Sequence, residues 1–225
     1  MIALVDGDIV AHTLAAGCEE YDESVALRKC SEYLEELVYV HAGCDDAEGW
    51  LTGYQNFRIQ IAKTKTYKGN RTGDKPKHLD LLRDYLNSAW KFPIEQYQEA
   101  DDAIGIAAYA KDPEDYVICT TDKDLNMIRG WHYNMRRNEK FWIDEDETLY
   151  NFYTQVLTGD RTDNIPGLHG IGPKKAAKIL KGLKTEHEMF DAVLKAYDND
   201  LEYLTEQGKL LWIRRKPNQD WKPPR

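Results

Sequence analysis

Short apolar runs alternate along the chain with longer stretches whose apolar positions recur at helical spacing. IALV (residues 2–5) reads as a parallel strand buried on both faces, and EGWLT (48–52), a stretch near FPIEQY and YVICTT (116–121) read as further strands. WHYNM and KFWID predict a short strand pair. Between these, Val25, Leu27, Cys30, Leu34, Leu37, Val38 and His41 mark a helix over 25–44, and PKHLDLLRDYLNSAW predicts one that opens at Pro76 and runs to about Trp90. A further, largely apolar helix holds QEADDAIGIAA (98–108), and from about Asp146 onward the pattern is helix and turn. The alternation predicts an α/β core with a mainly parallel sheet, followed by a helical region.

The QEADD helix raises a problem of charge. Glu99, Asp101 and Asp102 crowd its first turn. Two like charges ~4 Å apart repel by about 4 kcal/mol at an effective dielectric near 20, so such a cluster calls for a cation. Other acids stand at equivalent places: Asp6 follows IALV, and Asp122 and Asp124 follow YVICTT. Ligands of open parallel sheets bind outside the carboxyl ends of the strands, so these segments are expected to share one pocket. Asp at a strand-to-helix turn also serves as a plain helix cap. Six acids at three strand ends go beyond that need. With hard oxygens as the only candidate ligands, Mg²⁺ or Mn²⁺ is favoured over Zn²⁺, and a pair of such ions suits phosphodiester hydrolysis.

The net charge of −9 disguises an uneven distribution. Arg58, Lys63, Lys65, Lys68, Arg71, Lys75 and Lys77 stand against a single acid, Asp74, and residues 164–184 hold five lysines and no acid. Basic blocks on either side of an acidic cluster point to a nucleic-acid partner. In GDRTDNIPGLHGIGPKKAAKIL (159–180), Asp160 and Asp163 precede a Gly-rich hairpin that opens into a helix at Lys174. Gly170 and Gly172 let backbone approach a phosphate, and Lys174, Lys175 and Lys178 add charge. The four scattered cysteines, the lack of an ~18-residue apolar run and the opening MIALVDGD together predict a cytoplasmic, non-secreted, non-membrane protein. The end of the chain, LLWIRRKPNQDWKPPR, carries no motif and reads as a packed or frayed tail.

These motifs together resemble the structure-specific 5′-nucleases, a family that includes flap endonucleases and phage 5′-to-3′ exonucleases. The likeness spans residues 1–182: LVDGD, YKGNR (67–71), the ExDD trio, TTDKDL and GDxxDN. It implies a PIN-like (resolvase-like) core over 1–145 with a basic arch-like segment at 57–78. A helical region would follow over 146–225, its helix-three-turn-helix (helix-hairpin-helix type) at 159–182 gripping duplex DNA. It further implies that Asp6, Glu99, Asp101, Asp102, Asp122, Asp124, Asp160 and Asp163 hold two Mg²⁺ ions, directly or through water, with Mn²⁺ as a substitute. Lys68 and Arg71 would contact the scissile phosphate or the 5′ end, and Tyr67 would stack on a base. Arg58, Lys63 and Lys65 would meet DNA, and the Gly170–Gly172 turn would hold K⁺. The implied activity is cleavage near a 5′ flap, nick or 5′ end of DNA, or of RNA in a hybrid, by a monomer in a bacterial or phage-infected cell. A junction-binding protein without efficient cleavage and a PIN-type ribonuclease are the other readings. Two departures stand out: Gly53 occupies an expected acidic position, for which Asp45 or Asp46 would compensate, and the segment after Arg71 is short for a threading arch.

Overall fold

The computed structural model describes residues 1–224; Arg225, the last residue of the expected helical region, lies outside them. Six strands form one sheet in the order β3-β2-β1-β4-β5-β6, with β1 at Ile2–Asp6, β2 at Asp46–Thr52, β3 at Ile94–Glu95, β4 at Tyr116–Thr120, β5 at Gly130–Asn134 and β6 at Glu139–Ile143. Only the β5–β6 pair is antiparallel. The mainly parallel α/β expectation holds. The central strands are continuous apolar runs because both faces are covered: β4 is buried along its whole length. One face packs on α1 (Gly7–Gly17), α2 (Glu23–Glu35) and α4 (Leu79–Ala89), and the other on α5 (Ala100–Tyr109).

Three elements differ from expectation for local reasons. The helix over 25–44 ends α-helical geometry at Glu35 and continues as π-helix over Glu36–His41, which keeps Leu37 and Val38 buried while Tyr39 and Val40 face solvent. α4 begins at Leu79 because Pro76 to Leu79 form a turn first. β3 is two residues long, since Pro93 immediately before it has no N–H for the ladder and offers only its carbonyl, to Leu51. A short α3 (Phe57–Ile61) opens the basic segment.

Beyond β6 come α6 (Glu145–Thr158), α7 (Pro173–Ile179), α8 (Glu186–Ala196) and α9 (Leu201–Leu211), around a core of their own that includes Phe152, Tyr153 and Val156. The tail is packed. Trp212 and Trp221 lie against Phe152, and the chain at Arg214 crosses α5 so closely that a Cβ on Gly105 would fall 2.4 Å from the Arg214 carbonyl oxygen.

Candidate active site

The carboxyl ends of β1 and β4 and the first turn of α5 meet at a cleft of about 290 Å³. Its acidic lining comprises Asp6, Asp8, Glu99, Asp101 and Asp122, and its basic lining Lys68, Arg71 and Arg83. Asp6 is the N-cap of α1, accepting from the Ile9 amide at 3.1 Å, and is tied to β4 by Thr120, whose hydroxyl donates to it at 2.9 Å and accepts from the Asp122 amide at 2.9 Å. Asp122 in turn accepts from the Asp124 amide. Asp101 has neither a hydrogen bond nor an ion pair among the described residues. Burial, followed by the charge of Asp8, pushes Asp6 up to about 7. Burial, Asp6 and Asp122 hold Asp101 well above the usual carboxylate range, and Asp122 is raised chiefly by burial. None of the three forms an ion pair among the described residues.

The other members of the ExDD trio are satisfied within the protein. Asp102, fully buried, takes a two-pronged contact from the Arg58 guanidinium at 2.6 and 2.9 Å. Arg58 also donates to the carbonyls of Leu210 and Trp212, and the Arg214 amide donates to Asp102 at 3.1 Å. The expectations of a metal ligand at Asp102 and a DNA contact at Arg58 are thereby corrected: both side chains are consumed in a buried pair that fastens α5 to α3 and the tail. Arg58→Met is expected to lower unfolding stability by about 3–5 kcal/mol, because it strands a buried charge. Denaturant titration measures this.

Glu99 faces Arg58 at 3.3 Å and Lys68 on its other side. Burial alone would raise its carboxyl, but Arg58 and Lys68 overcome this and bring it down to about 2. Tyr67 is buried too, its hydroxyl 2.7 Å from carboxylate oxygens of both Glu99 and Asp163. A phenol so enclosed has no face for a base, which corrects the stacking role. Lys68 adopts a positive φ of 55° that turns the chain here, and Arg71 reaches Asp163 at 2.7 Å. Backbone and amide bonds fasten the same segment to the 160–164 loop: the Lys68 amide to the Asp163 carbonyl, Asn70 to that of Arg161, and Asn164 to that of Thr66. The basic segment thus lies docked on GDRTDN. Lys63 is exposed and pairs with Glu202, while Lys65 lines the hairpin groove.

A second acidic group adjoins the first through Asp122. Asp160 accepts from the Thr162 amide at 2.6 Å, from Lys123 at 3.0 Å and from Gln155 at 3.1 Å. Gln155 also donates to Asp124, which burial and then Asp122 push up to about 7. Among the described residues no three acidic, histidine or cysteine side chains converge on one coordination-sized point. The eight predicted acids therefore fall into two groups sharing Asp122, with Asp102 apart. Lys123 and Gln155, which hold the second group, and Asp8 and Arg83 in the cleft were not singled out from sequence. The only signal for Asp8 was the repeated acid in DGD.

Gly53 has a physical explanation. It closes β2 against β3, its amide donating to the Glu95 carbonyl at 2.9 Å, and a Cβ there would lie 2.3 Å from that oxygen. No acid fits. Asp45 and Asp46 do not compensate, because Asp46 begins β2 opposite Ile2 and Asp45 pairs with the N-terminal amine at 2.9 Å. Both lie about 20 Å from the cleft end of β2, a strand of seven residues.

The hairpin stands beside the second acidic group. Gly170 has φ 75°, Gly172 is the N-cap of α7, and Pro173 occupies the first helical position. Lys174, Lys175 and Lys178 are exposed, and Lys175 donates to the Gly170 carbonyl at 2.8 Å. A groove of about 900 Å³ runs between the hairpin and Lys65, Asn70 and Arg161.

No family model matches the chain. It is 28% identical over 211 residues to a protein named flap endonuclease Xni from Shewanella baltica, spanning 84% of this chain and 78% of that one, and equally similar to the Xni protein of Shewanella putrefaciens. Its fold matches that of T5 5′-exonuclease with divalent zinc ions bound, at a TM-score of 0.67 and 18% identity over 93% of this chain and 88% of the other. A bacteriophage T5 flap endonuclease in a pseudo-enzyme-product complex with DNA and metal ions matches at a TM-score of 0.64 and 17% identity, with the same coverage. The resemblance to structure-specific 5′-nucleases read from the motifs is supported by both sequence and fold.

Proposed function

We propose that this chain is a structure-specific 5′-nuclease that hydrolyses phosphodiester bonds near 5′ ends of DNA with the help of divalent cations. The observation that carries this reading is Asp101, a carboxylate with no hydrogen bond or ion pair among the described residues, which shares a cleft with Asp6 and Asp122 and with the cations Lys68, Arg71 and Arg83. Burial and mutual repulsion raise the carboxyls of Asp6 and Asp101, so the cleft favours added positive charge.

The donor set is all oxygen, which fits Mg²⁺, with Mn²⁺ as a substitute. Asp6, Asp101 and Asp122 would hold one ion, and Asp122, Asp124, Asp160 and Asp163 a second, in part through water, since no three of the described side chains converge on one point. When bound, such ions supply Lewis acidity and a water activated at neutral pH. Lys68 and Arg71 bring fixed positive charge to a phosphate entering the cleft. Glu99 and Asp163 hold those two cations in place until substrate arrives. The helix N-terminus and lysines of the hairpin would grip duplex backbone away from the cut, and the Gly170–Gly172 turn would hold K⁺. The docking of Tyr67–Arg71 on the 160–164 loop favours entry of the 5′ end from the side over threading. RNA in a hybrid and action as a monomer complete the proposal.

The test is cleavage of end-labelled flap, nicked, blunt and circular single-stranded substrates in Mg²⁺ and in EDTA. Mg²⁺-dependent cutting confined to substrates with a 5′ end supports the reading. Binding without cutting would make the chain a junction-binding protein, and cutting confined to single-stranded RNA would make it a ribonuclease.

The hairpin has its own prediction. Replacing Lys174 and Lys175 with Ala should weaken duplex binding regardless of sequence and reduce the slope of log affinity against log salt by about 0.9 for each phosphate no longer neutralised. A salt titration in Ca²⁺ on duplex and single strands measures it. An unchanged slope would leave the lysines as a solvated helix face.

A further inference from the structure

β2 brings no acid to the cleft: Asp46 and Glu48 lie toward its start, and only Thr52, at its carboxyl end, lines the cleft. β1 ends in Asp6, β4 leads into Asp122, and the turn after β3 leads through Glu99 to Asp101. β2 ends at Thr52, and at the next residue, Gly53, the approach to the Glu95 carbonyl excludes any side chain. Asp8, from the first turn of α1, fills this corner. One of its carboxylate oxygens accepts from the Thr52 amide at 2.9 Å, and the other meets the Arg83 guanidinium. Arg83, on α4, closes the triangle by donating to the Thr52 carbonyl at 2.5 Å. Neither side chain is sealed off: 28% of Asp8 and 22% of Arg83 remain accessible.

The pair repeats a pattern around the cleft. Lys68 faces Glu99, Arg71 faces Asp163, and Arg83 faces Asp8, so each cation that could meet a phosphate is parked on a carboxylate that could meet a metal ion. We propose that Asp8 is the β2-end carboxylate of the metal-binding cleft, and that Arg83 is its exchangeable counter-charge, released to a substrate phosphate when the ion binds. The inference rests on the metal-dependent reading above. In it the charge of Asp8 belongs either to Arg83 or to the ion. Substrate and ion then assist each other, since drawing Arg83 onto a phosphate frees Asp8, and by linkage an ion on Asp8 frees Arg83.

Mn²⁺ binding to the DNA-free protein, followed by electron paramagnetic resonance of the free ion, tests this without reference to activity. Asp8→Asn keeps the acceptor for the Thr52 amide and should weaken Mn²⁺ binding about tenfold or more, in the range known for groups that support a metal site. Arg83→Gln removes the competing cation and should tighten Mn²⁺ binding in the absence of DNA. Circular dichroism checks that both variants are folded. If the parent binds Mn²⁺ and Asp8→Asn binds it equally well, the inference fails and the nuclease reading stands. If Arg83→Gln leaves the affinity unchanged or weaker, Arg83 is no counter-charge and the exchange is overturned. If the parent binds no Mn²⁺, the metal-dependent reading falls and takes the inference with it.

Discussion

Asp101→Asn is expected to abolish cleavage and stabilise the fold at the same time. The substitution keeps size and shape, and it breaks no hydrogen bond, since Asp101 makes none among the described residues. Single-turnover cleavage in Mg²⁺ should drop by about 10²–10³-fold or more, the scale of losing one preorganised electrostatic group. Stability should move the other way. The folded-state pKa of Asp101 lies above its ordinary value of 3.8, because of burial and then Asp6 and Asp122. The folded protein therefore binds the Asp101 proton more tightly than the unfolded chain, and this residue costs stability increasingly as pH rises above about 4. Asn carries no such cost. In EDTA, the gain in melting temperature of the variant over the parent should be larger at pH 8 than at pH 5, at about 2–4 °C per kcal/mol for a chain of this size. Mg²⁺ should shrink the gap by stabilising the parent. Normal turnover, or a variant less stable than the parent at pH 8, would remove Asp101 from the metal site.

Lys68→Ala should cost about 10²-fold in the rate of the chemical step, roughly 3 kcal/mol, with a much smaller loss of affinity. A cation that stabilises developing charge acts mainly in the transition state, so its removal is read in single-turnover rate at saturating DNA. The structure adds a condition on the fold. Lys68 is one of two cations on Glu99, and the buried Arg58 stays behind, so that carboxylate is not orphaned by the change. Equal losses in rate and affinity would make Lys68 a general phosphate anchor.

What the sequence disclosed, and what it withheld, divides along a physical line. The runs IALV and YVICTT, too short for helices and rich in β-branched residues, are strands buried on both faces, and the acids that follow them do stand at one cleft. Charge, however, does not tell which partner it has. Arg58 sits in a basic block and Asp102 in an acidic motif, yet they neutralise each other across 44 positions of sequence in the interior. Tyr67 lies in YKGNR, but its burial follows from the docking of that segment on a loop almost a hundred residues away. Gly53 looked like a missing ligand, and the register of β2 with β3 shows a backbone contact instead. Such pairings are set by topology, which spacing along the chain does not encode.

The buried Arg58 and Asp102 pair has a consequence for how the molecule comes apart. It joins the start of the basic segment, the helix bearing Asp101 and the chain just beyond α9, and each of these closes over the others. Helices beyond β6 cannot detach without exposing that ion pair and pulling on the first turn of α5. Local opening of the tail is thereby expected to disturb the cleft as well, which couples the stability of the helices to that of the carboxylates.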